Sequence, residues 1–125
     1  MREITVKELF DNKKKDLALS LVTEPETLNK KISSPHVNRP GLALTGWLEV
    51  FASDRIQVIG EAEVRYLQSL KEELLIQRAR DLFKTDIPCV IVTKGLTLPP
   101  VVEYLANDLN IALLSSRFST IQLIH

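Results

Sequence analysis

Two short apolar runs late in the chain, each closed by a turn or capping signal and separated by a helical stretch, restrict the fold more than any other feature. Pro88-Cys89-Val90-Ile91-Val92-Thr93 is rich in β-branched residues and lacks polar alternation, the pattern of a strand buried on both faces of a parallel sheet; Lys94-Gly95 ends it. Ile111 to Leu114 is a second run of this type. Between them, Pro99 and Pro100 suit a first helical turn, where missing amide donors do no harm, and Val101, Val102, Leu105 and Leu109 line one helical face. Parallel neighbours need a crossover, so the segment predicts a right-handed β-α-β unit. The expected class is α/β, with a mixed, largely parallel sheet flanked by helices.

The earlier sequence fits that class. Thr5-Val6-Lys7-Glu8 reads as a capping box opening a helix that carries Val6, Leu9 and Phe10. Leu17 to Val22 predicts a strand, broken at Thr23-Glu24-Pro25. Lys30 to Ser34 is a candidate edge strand, followed by a proline-flanked segment from Pro35 to Pro40. Leu42 to Phe51 predicts a strand interrupted at Gly46, and Ile56 to Ile59 a further strand ended by Gly60, with Ala52-Ser53-Asp54 as the turn between them. Glu61 to Leu67 predicts a short helix with acidic residues at its positive end. Ser69-Leu70-Lys71-Glu72 matches a second capping box, ahead of a stripe of Leu70, Leu74, Leu75, Arg78, Ala79, Leu82 and Phe83. Ser115 or Ser116 is expected to cap a last helix, where Phe118, Ile121, Leu123 and Ile124 run to His125 without a polar tail; that pattern predicts either continuation into a further part of a larger protein or an unusually short gene product.

Composition narrows the function classes. The 125 residues suit one domain spanning 1–125, large enough for a core without metal or disulfide support. Sixteen basic residues balance sixteen acidic ones, so no broad positive field is available for a polyanion and nucleic acid is not an expected partner. The Lys13-Lys14-Lys15 run reads as a solvated loop. No apolar stretch approaches the ~20 residues that cross a bilayer. One cysteine and no basic-then-apolar leader make a reducing, cytoplasmic setting the default, with no membrane partner.

Chemistry-bearing residues are few. Ser115, Ser116, Ser119 and Thr120 cluster where a buried strand feeds a helix, and Lys94, Gly95 and Thr97 follow the preceding strand. Two readings apply: N-capping and turn formation, or a crevice between the two loops that takes a small anion such as a nucleotide or sugar phosphate. Arg39, Asp54 and Arg55 either fix their loops through polar contacts or form an oxyanion clamp. Cys89 reads as a buried small hydrophobe, and Trp47 as a core or edge aromatic or a stacking platform. His36, His125 and Cys89 form no zinc pattern, and none of the four glycines begins a G-x-x-x-x-G-K-[ST] or G-x-G-x-x-G run. No catalytic, metal or cofactor-binding residue is therefore assigned.

The succession Asn38-Arg39-Pro40-Gly41-Leu42-Ala43-Leu44-Thr45-Gly46, Asp54-Arg55-Ile56-Gln57-Val58-Ile59-Gly60, and Glu63 before Tyr66-Leu67, resembles the N-terminal domain of HPr kinase/phosphorylase. Pro88 to Leu96, Pro99-Pro100 and the Ser115 to Thr120 cluster continue the resemblance in the same order, from about Ile32 to Leu123. Trp47 stands where that family often has tyrosine or phenylalanine. The resemblance implies a domain whose fold is like the N-terminal domain of the Mur ligases. It also implies a full-length bacterial enzyme that phosphorylates a serine of HPr with ATP or pyrophosphate, and reverses the reaction by phosphorolysis. That chemistry belongs to a C-terminal P-loop domain with magnesium, absent from this chain, in an assembly that is typically a homo-oligomer. No catalytic residue transfers to any position here.

Three expectations follow. The first is a non-catalytic regulatory or assembly domain of such an enzyme, with its own C-terminal domain as partner and HPr reached through it. The second is a free-standing sensor of a small anionic ligand. The third is a partner-binding module that presents Phe118, Ile121 and Ile124.

Overall fold

A computed structural model of the chain describes residues 3–34, 36–46, 48 and 52–124, with Leu42 and Ile124 described by backbone alone. Five strands form the main sheet, in the order β2 (Leu19–Leu21), β7 (Ala112–Ser116), β6 (Cys89–Val92), β5 (Ile56–Ile59), β4 (Val37–Asn38). The last four are mutually parallel, and β2 runs antiparallel to β7 with Leu19 opposite Ser116. A separate antiparallel pair joins β1 (Ile4–Thr5) to β3 (Lys31–Ile32). The expected mixed, largely parallel α/β architecture is what forms.

Side chains of a strand alternate between faces, and in β6 all four are buried because both faces are covered. Val90 and Val92, with Leu113 of β7, pack beneath four helices: α2 (Gly41–Leu44), α3 (Glu61–Ser69), α4 (Glu72–Phe83) and α5 (Pro100–Asp108). Cys89 and Ile91, with Ala112 and Leu114, meet the N-terminal arm: Val6 of α1 (Val6–Lys13), Leu28 of a 3-10 turn (Pro25–Asn29), Leu19 and Ile32. A short helix, α6 (Thr120–Ile124), follows β7.

Most local signals act as expected. Thr5 caps α1 in a full capping box, its Oγ1 accepting from the Glu8 amide at 3.0 Å while Glu8 Oε1 accepts from the Thr5 amide at 3.2 Å. The stripe on α4 buries Leu75, Ala79, Leu82 and Phe83. Pro99 and Pro100 start α5, and the β6-α5-β7 unit is present.

Four expectations are corrected. Gly41 to Leu44 is one turn of helix, not the start of a strand: the Leu44 amide bonds the Pro40 carbonyl at 2.9 Å, and Ala43 and Leu44 are both buried, which adjacent residues of a one-faced strand are not. The remainder of that expected strand, with Trp47, lies largely outside the described residues, as does His125. Ser69 caps nothing; it closes α3, donates to the Tyr66 carbonyl at 2.6 Å, and leaves Lys71 as an N-cap without a side-chain bond. Ser115 and Ser116 belong to β7, while Ser119 and Gln122 exchange the capping bonds of α6. The strand expected from Leu17 narrows to Leu19–Leu21, since Ala18 turns at φ 51.

Candidate functional site

The parallel strands end together, and the polar residues that follow them form one surface. Arg39 leaves β4 and grips Glu63 in the first turn of α3: Nε and Nη2 donate to Oε1 at 3.0 and 2.9 Å, and Nη2 also to Oε2 at 2.9 Å. Glu63 Oε1 accepts from the Gly60 amide at 3.2 Å as well, closing the N-terminus of α3. Gly60 leaves room for this grip: a Cβ there would stand 2.9 Å from Arg39 Nη2 and 3.3 Å from Thr120 Oγ1, so the arginine would have to shift. Behind it, fully buried Gln57 accepts from Asn38 Nδ2 at 2.7 Å and donates to the carbonyls of Ala52 and Arg55. The loop before β5 is thus fixed by Gln57 and backbone. Asp54 and Arg55 make no ion pair with Arg39 among the described residues; the partner of Arg39 is Glu63, 24 positions away.

Lys94 and Gly95 turn the chain after β6 with φ of 56 and 64. Their amides donate to the carbonyls of Phe118 at 2.8 Å and Ser116 at 2.9 Å, so the segment leading to α6 lies across the strand ends. Lys94 Nζ lies 3.9 Å from Glu61. Ser116 Oγ donates to the Leu17 carbonyl at 2.6 Å and accepts from the Phe118 amide at 3.1 Å, while Ser119 caps α6. The anticipated cluster is therefore brought together, with most of its donors engaged internally. Strand order 7-6-5-4 does not reverse, so among the described residues the sheet has no switch-point crevice of the kind that opens doubly wound sheets to ligands.

A concavity lies beside this surface. A cleft of about 180 Å³ opens between the loop after β6 and the end of β2, with Gly95 and Ser115 both in its lining. Lys94, Ser116, Ser119 and Thr120 are not part of it. Cys89 is buried on the opposite sheet face, and burial pushes its thiol up to about 12. Among the described residues, no group of three or more His, Cys, Asp or Glu side chains is placed to hold a metal ion. No helix there is long and apolar enough to cross a membrane.

Comparison with known proteins gives this geometry its context. The family pattern described as "HPr Serine kinase N terminus" matches residues 4–125. The chain belongs to that family. Among its relatives, the HPr kinase/phosphorylase of Alkaliphilus metalliredigens is 36% identical over 124 residues, which is 99% of this chain and 39% of the relative. That of Streptococcus pneumoniae is 33% identical over 98% of this chain and 38% of its own length. A Leptospira biflexa HPr kinase/phosphorylase reaches 46% over 80 residues, 64% of this chain. The chain thus spans about two-fifths of the first two relatives. In fold it is similar to the CBS and DRTGG domains of the regulatory region of Clostridium perfringens pyrophosphatase, solved with its activator diadenosine tetraphosphate: TM-score 0.61, 18% identity, covering 89% of this chain and 42% of that one. At that identity the likeness concerns the fold alone.

Proposed function

We propose that residues 1–125 form a single non-catalytic N-terminal domain, regulatory or assembly-forming, of a bifunctional HPr serine kinase/phosphorylase. The supporting observation is the family match along residues 4–125 to relatives of which the chain spans 38–39%. In this reading the rest of the enzyme carries the P-loop, binds ATP or pyrophosphate with magnesium, and phosphorylates HPr in the control of carbon metabolism by the phosphotransferase system. The enzyme works in the cytoplasm as a homo-oligomer. Residues of this chain do not fit the nucleotide role, since none of its glycines begins a phosphate-cradling run. The Arg39–Glu63 and Lys94–Glu61 pairs and the capping of α6 support an architectural part for the strand-end surface. Phosphotransfer from ATP to HPr tests the proposal: the full-length protein should catalyse it, and the 125-residue chain should not. Turnover by the purified chain above a mock-purified control would refute it.

A second reading, a sensor domain for a small ligand, is supported by one observation: Gly95 and Ser115, from the loops after two neighbouring parallel strands, line one cleft. Lys94, Gly95, Ser115, Ser116, Ser119 and Thr120 remain the residues proposed for an anionic occupant. A thermal-shift panel of nucleotides, sugar phosphates and pyrophosphate tests this, since a ligand at ~100 times its Kd stabilises the folded state by ~2.7 kcal/mol. Absence of any shift would exclude an anion sensor.

A further inference from the structure

The cleft beside the loop after β6 has its own chemistry, and it differs from that of a phosphate site. Its floor is Val92, Leu98 and Leu113, with Val22 as one wall. The wall is held firmly: the Val22 amide bonds the Leu113 carbonyl at 2.9 Å, Thr23 Oγ1 accepts from the Leu113 amide at 3.0 Å, and the Glu24 amide bonds Asn107 Oδ1 at 2.8 Å. Val22 nevertheless stays 40% exposed, an apolar surface left open by a rigid frame. The charged side chain in the lining is Glu103, and among the described residues neither its carboxylate nor the Ser115 hydroxyl has a hydrogen-bond or ion-pair partner. Among the described residues no cation pairs with Glu103: Lys94 lies by Glu61, and the Lys94 and Gly95 amides that a phosphate would need are bonded to Phe118 and Ser116.

An apolar floor, one unpaired carboxylate and one unpaired hydroxyl suit a ligand with an apolar body and a positive end. An apolar space of roughly 150 Å³ holds a single benzene ring, and this cleft is about 180 Å³. We infer that the cleft binds a small organic amine, with its ammonium group at Glu103 and Ser115 and a one-ring body on Val92, Leu98 and Leu113. This inference rests on the sensor reading above and changes the charge of its ligand. Because Gly95 lines the cleft and also bonds Ser116, an occupant is mechanically linked to the segment that leads into α6.

Benzylamine, benzyl alcohol and benzoate share one body and differ in charge, so amide chemical-shift titrations of the 125-residue chain with each decide the matter. Benzylamine should move the amides of Val22, Gly95 and Leu98 and bind most tightly, with benzoate weakest. Glu103→Gln should weaken benzylamine roughly five-fold and bring it level with benzyl alcohol. The variant's own spectrum reports whether it is folded, and Val22→Phe, which fills the opening, should reduce binding of both. If benzoate binds this cleft as well as benzylamine does, or Glu103→Gln leaves benzylamine unchanged, the amine inference falls while a sensor site stands. If none of the three moves these amides, the amine inference falls, and the sensor reading is decided by the thermal-shift panel of nucleotides, sugar phosphates and pyrophosphate.

Discussion

Replacing Arg39 with methionine removes every donor that its guanidinium offers Glu63 while keeping an apolar stem of similar reach. Glu63 then loses three of its four contacts and keeps the Gly60 amide alone. An exposed pair would contribute at most about 1 kcal/mol, and breaking a fully buried one costs about 3–5 kcal/mol. Here the Glu63 side chain is 7% exposed and that of Arg39 51%, so water replaces the donor on the arginine side but reaches the glutamate poorly. A loss of about 2 kcal/mol is expected, or roughly 6–10 °C in Tm for a domain of this length. Urea unfolding of wild type, Arg39→Met, Glu63→Gln and the double variant would measure it, with the double variant losing at least 1 kcal/mol less than the sum of the singles. An Arg39→Met loss below about 0.5 kcal/mol, or additivity of the two changes, would refute the view that this pair ties β4 to α3.

Capping gives a matched contrast: Thr5→Ala should cost about 1 kcal/mol and Ser69→Ala less than about 0.5, read by the same urea curves, since only Thr5 bonds a helix N-terminus. Gly46 and Gly95 both hold positive φ, but a Cβ at Gly95 meets open space while one at Gly46 would sit 2.5 Å from Arg78 Nη1. Gly95→Ala should therefore cost about 1 kcal/mol and Gly46→Ala more than that, with the order of their Tm values as the check. Cys89 should resist a thiol reagent at pH 8 in the native protein and react at once in denaturant. Its thiol ionises near 9.0 when unfolded and about 12 when folded, so above pH 9 the unfolded chain has lost the proton that the folded one keeps. Stability should fall there by up to about 1.4 kcal/mol per pH unit, and Cys89→Ala should flatten that slope.

The sequence betrays elements whose burial is uniform or whose period is long. Cys89–Val92 has no polar residue and is short and rich in β-branched side chains, which points to a strand covered twice, and twelve residues of α4 are enough for a 3.6-residue period to separate buried Leu75, Ala79 and Leu82 from solvent. One turn is not enough. Gly41–Leu44 presents adjacent apolar residues that suit either state, and only packing against α3 and α4 decides it. The two-residue strands β1, β3 and β4 have no period at all and owe their pairing to neighbours. Ser69 to Glu72 matches the spacing of a capping box, yet Leu70 takes an extended backbone after α3 and moves the N-cap of the next helix to Lys71. At the site, the turn at Lys94-Gly95 is legible because few side chains tolerate φ near +60. The Arg39–Glu63 pair is not, since nothing local ties residues 24 apart, and Glu103 joins the cleft only through the placement of α5.

Because the four parallel strands follow one another in a single direction, helices α2 to α5 all belong to one cover of the sheet, and the buried side chains of the other cover, Val6, Leu19, Leu28 and Ile32, all precede β4, with partly buried Leu123 of α6 packed against them. A shortened version beginning at β4 would keep every crossover and still strip Cys89, Ile91, Ala112 and Leu114 of their lid, leaving a greasy plank that sticks to its own copies. The smallest transplantable unit of this domain therefore includes its leading arm, and a fusion or swap that cuts there should yield aggregate instead of a working module.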